Sequence, residues 1–240
     1  PAAAGRLMEE EIRELSALFS GATRPIAAII GGSKVSTKLA LLNNLIKTMD
    51  TLLIGGAMAN TFLYAQGYSV GNSKCEKDRK KTALAILKNA EKYGCRIVLP
   101  VDLVVTEKFK SHASCRIADA ASIPRETTAA DIGPATVKRF CDALEACKTV
   151  VWNGPVGAFE TSPFDCGTTT LARAIAALTA KKRIRSVAGG GDTVAALARA
   201  GMTRNFSYVS TAGGAFLEWL EGKELPGVKA LMKPNKRRSA

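Results

Sequence analysis

The sequence predicts a three-layer αβα fold built on a mostly parallel sheet. Three observations carry that expectation. Short runs rich in Ile, Val and Leu recur along the chain, each leads into a turn, usually glycine-rich, and most turns open a stretch with helical spacing. Strands that alternate with helices join through right-handed crossovers, which lays them parallel and covers both sheet faces. The 240 residues, 47% hydrophobic and 23% charged, suit one large or two small globular domains with a full core. This is a Rossmann-like α/β architecture.

The units follow in order. Ile26–Ile30 reads as a strand that enters Gly31-Gly32 and a helix from near Ser33 to about Thr48. Leu52–Ile54 enters Gly55-Gly56 and the helix Ala57–Ala65. Lys77–Tyr93 is amphipathic, with Ala83, Leu84, Leu87 and Ala90 on one face, and precedes strands at Arg96–Leu99 and Leu103–Val105. Thr149–Trp152 leads into Asn153-Gly154-Pro155 and, after a loop, the helix Thr169–Thr179. Arg185–Ala188 enters Gly189-Gly190-Gly191-Asp192 and a helix through Arg199, and Phe206–Ser210 enters Thr211-Ala212-Gly213-Gly214 and the helix Ala215–Glu221.

Composition excludes several classes. Disorder and collagen do not fit these fractions, and no apolar run approaches the ~18 residues of a membrane-spanning helix. Pro1–Arg6 has no signal-peptide core and no initiating Met, so the chain reads as a fragment or processed piece. The six cysteines form no C-x-x-C pair and His112 is the only histidine, which disfavours zinc and favours free thiols in a reducing compartment. His112 itself reads as a surface residue.

In a parallel sheet all strand ends of one kind share a rim, so five glycine-bearing turns should converge on one crevice. Backbone N–H groups in such turns, and the helix starts that follow, suit phosphate. Lys34 and Lys38, four residues apart, would share a face of the first helical turns, which fits a bound anion or a solvated lysine pair. Asp192 is placed to cap a helix or to hold Mg²⁺ together with substrate phosphate oxygens. Asn153 could fill a turn or donate to phosphate, and Glu160 could accept from ribose hydroxyls or sit at the surface. Neither G-x-x-x-x-G-K-[ST], G-x-G-x-x-G nor G-x-S-x-G occurs.

Seven segments resemble the phosphoglycerate kinase family, and specifically its carboxyl-terminal, nucleotide-binding half. They are Gly31-Gly32-Ser33-Lys34-Val35-Ser36-Thr37-Lys38, Ile54–Phe62, Leu99–Asp102, Asp131–Pro134, Trp152–Glu160, Gly189–Thr193 and Glu221–Val228, in the family's order. The resemblance implies half of a two-domain kinase fold. It divides the chain into an interdomain helix region at 1–20, a nucleotide-binding domain at 21–225 and a tail at 226–240.

It also implies ADP or ATP as substrate with Mg²⁺, and phosphoryl transfer between 1,3-bisphosphoglycerate and ADP in the complete enzyme. On that resemblance, Lys38 would contact the group in flight and Lys34 the phosphate tail. Gly55, Gly56, Gly133, Ala135 and Ala158 would line the adenine slot. Asn153, with Pro155 beside it, would touch the outer phosphates, Glu160 the ribose and Asp192 the metal. Thr193 and the Gly190 and Gly191 amides would hold phosphate, and Gly213 and Gly214 would aim a helix start at the moving phosphoryl. Ala212 departs from the family's usual glycine, and Ser36-Thr37 and Ala135 differ from its common forms.

The family's other half, with its 3-phosphoglycerate site, is not in these residues, so the chain alone is expected to bind nucleotide as a monomer with little or no turnover. The net charge of +13 gathers at Lys74–Lys81, Lys181–Arg185 and Lys233–Arg238. Those clusters suit solvated faces or the steering of anionic substrates. With little aromatic interleaving and no nucleic-acid module, neither nucleic acid nor a membrane is expected as a partner. The expected compartment is the cytoplasm, with the glycosome as the alternative.

Overall fold

The computed structural model of the chain describes residues 5–225 and Lys229. The expected tail at 226–240, including the Lys233–Arg238 basic run, otherwise lies outside the described residues. The chain opens with α1 (Arg6–Ser20), β1 (Ile26–Ile30), α2 (Leu39–Thr48), β2 (Thr51–Ile54), α3 (Gly56–Ala65), α4 (Lys80–Lys92) and β3 (Arg96–Val98). Then come β4 (Asp102–Thr106), β5 (Arg116–Asp119), β6 (Thr128–Ile132) and α5 (Pro134–Glu145). It ends with β7 (Thr149–Asn153), α6 (Cys166–Ala180), β8 (Arg185–Ala188), α7 (Gly191–Arg199), β9 (Tyr208–Val209) and α8 (Gly214–Leu220).

Six strands form one sheet in the order β3-β2-β1-β7-β8-β9, and every neighbouring pair is parallel. All residues of β1, β2 and β7 are buried, which is why these runs are continuously apolar rather than alternating. Their side chains still alternate between two cores. Ala27, Ile29, Val150 and Trp152 face Phe140 and Leu144 of α5 and Leu171 and Ile175 of α6. Ala28, Ile30, Leu52 and Val151 face Leu15 and Leu18 of α1, Leu41 and Leu45 of α2, and Phe216 and Leu220 of α8. Each of the Ile, Leu, Val and Phe side chains contributes roughly 1.5–3 kcal/mol when fully buried. The three-layer α/β expectation therefore holds. No described helix is long and apolar enough to cross a membrane.

Four expectations need correction. Leu103–Val105 does not join the parallel sheet: β4 is the centre of a separate antiparallel sheet ordered β5-β4-β6. Only Leu99-Pro100-Val101 separates β3 from β4, far short of the dozen or so residues that a parallel crossover requires. Second, α2 begins at Leu39 after one 3-10 turn at Ser36–Lys38, not near Ser33. Gly32 adopts φ 130 and its carbonyl accepts from the Met58 N–H at 2.9 Å, a path no helix can follow. Third, Leu84 is 42% exposed, whereas Ile86 is buried with Ala83 and Ala90 on the packed face of α4. The final strand is also shorter than Phe206–Ser210, with only Tyr208–Val209 paired at the sheet edge.

Candidate functional site

The strand order fixes where a ligand can sit. From β1 the chain winds outward through β2 to β3, and from β7 it winds the other way through β8 to β9. Between β1 and β7 the connections diverge, and open α/β sheets bind ligands at that point, beyond the strands' carboxyl ends. A cleft of about 550 Å³ opens there, within the size range of small-molecule sites. A somewhat larger cavity of about 630 Å³ beside α4, β3 and β5 contains none of the predicted site residues.

The turns at this rim are bonded to one another. The Gly31 N–H donates to the Asn153 carbonyl at 3.0 Å and Gly56 N–H to the Val156 carbonyl at 2.8 Å. Asn153 Nδ2 donates to the Gly189 carbonyl at 2.9 Å, and Gly154 N–H donates to Thr193 Oγ1 at 2.7 Å. The approach is so close that a Cβ on Gly31 would lie 1.8 Å from the Pro155 carbonyl oxygen. Four turns, after β1, β2, β7 and β8, thus form one rigid collar.

Lys38 sits inside that collar. Its ammonium donates to the Gly31 carbonyl at 2.8 Å and to Asn153 Oδ1 at 2.7 Å. Burial lowers its pKa from 10.5 to about 8, and the negative charge of Asp192 partly offsets the shift. The cation is costly to keep there without an anion close by. Glu76 steadies the turn that carries it, accepting from the Ser36 N–H at 3.0 Å and from Ser36 Oγ. Burial works against the Glu76 carboxylate, yet these hydrogen bonds hold its pKa below the usual value.

Gly56, Pro155, Ala158, Glu160 and Asp192 line the cleft. Gly55 lies just behind it, where a Cβ would meet Val156 at 2.6 Å. Thr193 is buried at the start of α7, next to Gly190 and Gly191. Asn153 spends both ends of its amide within the collar, so it braces Lys38 instead of pointing a free donor outward. Lys34 is exposed in the loop before α2 and shares no helix face with Lys38.

Gly133 and Ala135 lie at the start of α5, where Ala135 N–H donates to the Asp102 carboxylate at 3.0 Å and a Cβ on Gly133 would strike that carboxylate. They are outside the cleft lining. Gly213 and Gly214 are outside the cleft lining too, in open surroundings with nothing within 4 Å of an added Cβ. Four of the five turns bond or pack directly against one another, and the turn after β9 leaves the same rim at the sheet edge. With β9 two strands beyond β7, its turn is about 12 Å from the point between β1 and β7.

The far wall was not foreseen. Thr128–Asp131 of β6 and Phe109 close the cleft from the small sheet, and Phe109 stacks on Phe164 with ring centroids 5.4 Å apart. Asp131 accepts from the N–H groups of Ile132 and Gly167 at 2.8 and 2.7 Å, yet burial pushes its pKa up to about 7. The sequence signal for this wall is the Asp131–Pro134 run, in which the resemblance implies a role for Gly133 but none for Asp131. Among the described residues no group of three His, Cys, Asp or Glu could cage a metal. A metal at this rim would take one carboxylate, Asp192, which is exposed on the cleft. That donor set suits Mg²⁺, which fills its remaining positions with phosphate oxygens and water.

Comparison with known proteins agrees with this architecture. Residues 1–223 match the family "Phosphoglycerate kinase". The chain is 55% identical to the phosphoglycerate kinase of Novosphingobium aromaticivorans over 232 residues, covering 96% of this chain and 59% of that protein. It is 57% identical to that of Xanthobacter flavus, covering 96% and 58%. The structure of phosphoglycerate kinase from Coxiella burnetii superposes with a TM-score of 0.90 at 42% identity, covering 95% of this chain and 58% of that one. The chain thus spans less than two thirds of the length of the relatives it matches. With a parallel six-stranded sheet, a glycine collar at its switch point and a match across almost the whole sequence, the chain belongs to the phosphoglycerate kinase family, a glycolytic phosphotransferase family.

Proposed function

We propose that the cleft binds ADP or ATP with Mg²⁺, and that the chain is the nucleotide-binding half of a phosphoglycerate kinase. In the complete enzyme it would take part in phosphoryl transfer between 1,3-bisphosphoglycerate and ADP. The observation that carries the reading is the half-buried Lys38 ammonium, desolvated and held by Gly31 and Asn153 beside Gly32 of the cleft. A lysine kept where burial disfavours its charge is stabilised when a phosphate arrives.

The base would lie between the small residues of the turns and the wall of β6, against Gly56 and Ala158, with Gly55 behind them. Glu160, on the same cleft, would accept from ribose hydroxyls. The amides of Gly190 and Gly191 at the start of α7 would cradle phosphate oxygens, with Lys34 available from the exposed side. Bound Mg²⁺, held through Asp192, would supply neutralisation of charge on the outer phosphates. Lys38 would then exchange its Asn153 and Gly31 contacts for the transferring group. Stabilising that charge without reorganising solvent is the main contribution to such reactions. Gly213 and Gly214, open at the sheet edge, would serve only once the remainder of a full-length kinase closes on this rim.

Calorimetry of the chain with MgADP tests the reading. We expect saturable binding that weakens at least about tenfold in Lys38→Ala and in Asp192→Ala, in line with loss of a charged hydrogen bond. Absence of binding at millimolar MgADP would overturn it. A steady-state assay with 3-phosphoglycerate and MgATP should find little or no turnover by the chain alone, because the triose site is assigned to the part of the relatives it does not span.

A further inference from the structure

The loop that joins β4 to β5 has two sides. Its Phe109 lines the cleft at the switch point, whereas Lys108 and Lys110, on either side of that ring, line a separate cavity of about 510 Å³. The same division holds at the start of β6, where Thr127 borders the cavity and Thr128 the cleft. One stretch of chain thus turns an aromatic side to the cleft and a cationic side to the cavity.

Arg116 at the start of β5 joins the two lysines there, and Glu107 is the one carboxylate lining the cavity with them. Among the described residues none of these four groups takes part in an ion pair. Like charges gathered round one hollow repel one another, less so where solvent screens them. Solvated lysines explain cations spread over a convex face, but three that line one concavity suit an anion seated among them. His112, the only histidine, lines the cavity too and offers a ring N–H donor in either charge state.

The hollow is held in shape by bonds of the loop. Buried Thr106 Oγ1 bridges the Lys108 and Ser114 carbonyls at 3.1 and 2.9 Å, which draws the two ends of the loop together. The His112 N–H donates to the Ser162 carbonyl at 2.9 Å, and Phe109 is stacked on Phe164. Little ordering of the backbone is left for a ligand to impose.

Charge and size set the class of ligand. Three cations against one carboxylate leave a net charge of +2, and the volume lies in the range of sites for whole small molecules. The Arg116 fork suits two oxygens of one phosphate, and each lysine is a point charge that donates to oxygens in several directions. We infer that this cavity is an anion-binding site, separate from the cleft, for a small molecule that carries a diphosphate or two phosphate groups. The assignment does not depend on what the cleft binds.

Calorimetry of the 240-residue chain with inorganic pyrophosphate, in the absence of Mg²⁺, tests it. Because the collar around Lys38 also suits phosphate, the titrations are made on Lys38→Met as well as on the native chain. Lys38→Met should bind about one pyrophosphate with a dissociation constant below about 1 mM. Adding Arg116→Gln, or Lys108→Gln with Lys110→Gln, should weaken that event at least about tenfold. All three side chains are exposed, so their variants should keep the urea midpoint of their parent. In the native background the same changes should remove one binding event, which decides the matter even if Lys38→Met does not fold. Citrate is similar in charge but spreads it over separate carboxylates, and should bind at least about fivefold more weakly. Loss of all binding in Lys38→Met would assign the anion to the collar and overturn the inference. Binding that needs more than about 1 mM pyrophosphate, or that the Arg116 and lysine variants leave unchanged, would overturn it too. Equal affinity for citrate would show a cavity that reads charge alone and would overturn the assignment to phosphates.

Discussion

The turn after β7 and the turn after β9 are alike in composition and opposite in setting. Both leave the same rim of the sheet, and both use a glycine at positive φ, 93 for Gly154 and 52 for Gly213. A Cβ on Gly154 would lie 2.4 Å from the Gly31 carbonyl oxygen, whereas one on Gly213 would meet nothing within 4 Å. The first turn abuts β1 at the switch point, and the second belongs to an edge strand. Glycine marks a backbone shape that is permitted, but the order of strands decides which glycines meet. Only the central ones build a site by themselves.

The strongest way to break that comparison is to add one methyl group to each turn. Gly154→Ala combines a disfavoured φ with a clash against backbone that cannot move without opening β1 from β7. A positive-φ residue with a Cβ costs about 1–2 kcal/mol by itself, and overpacking adds about 1–3 kcal/mol. We expect Gly154→Ala to lower unfolding stability in urea by about 3 kcal/mol or more and to remove MgADP binding. Gly213→Ala should cost only the backbone share and leave MgADP affinity within about twofold. Equal losses in the two variants would show that the collar is no more constrained than the edge.

Two carboxylates sharpen the same contrast between enclosed and open parts of the cleft. Asp192 is exposed at the rim, whereas Asp131 is buried in the β6 wall with its pKa raised from 3.8 to about 7. In that window the folded chain holds a proton that the unfolded chain has released. The stabilising share of the neutral form is complete below about pH 4 and is lost as pH rises through 7. Stability should therefore fall between pH 5 and 8 by an amount on the order of 1–4 kcal/mol. Asp131→Asn should flatten this slope, as read from urea midpoints at a series of pH values. An unchanged slope would mean that Asp131 is ionised throughout.

A smaller effect comes from one hydrogen bond across the collar. Thr193→Val keeps the shape at the start of α7 but leaves the buried Gly154 N–H without its acceptor. The expected cost is about 1–3 kcal/mol. A double-mutant cycle with Gly154→Ala should be clearly non-additive, because both changes act on the same strand-end contact. Additive losses would place Thr193 outside the collar's cooperative unit.

How much of this was legible in the sequence follows from which interactions are local. The parallel sheet was readable because Ile26–Ile30 and Thr149–Trp152 are buried on both faces, and burial of that kind leaves uninterrupted apolar runs. Asp192 and Glu160 could be chosen because each follows a strand-end turn, which needs only adjacency in the chain. The antiparallel sheet escaped notice because β5 reads exposed, exposed, buried, exposed, too short and polar for a periodic signal. Asp131, Phe109 and Asn60 went unassigned with it, since their meeting in one cleft depends on how that sheet docks on α3. Lys38 was found, but its partners were not. The helix start at Leu39 rather than Ser33 follows from a bond between Gly32 and Met58, set by packing between two units and invisible in either alone.

The finest probe of the collar is the proton on Lys38. Burial lowers its pKa to about 8 in the folded chain, so the unfolded chain binds more protons between pH 8 and 10.5 and stability gains from this group as pH rises across that window. Phosphate oxygens beside the ammonium work in the opposite direction, because they favour the charged form. MgADP binding should then take up close to one proton per site at pH 9 and almost none at pH 7, with affinity falling by up to about tenfold for each pH unit above 8. Calorimetry in two buffers of different ionisation enthalpy measures the uptake directly. Lys34 provides the control: exposed in its loop, it should leave the uptake unchanged in Lys34→Met, whereas Lys38→Met should abolish it. If Lys38→Met also leaves it unchanged, the titrating group lies elsewhere and the collar does not confine the charge that its geometry encloses.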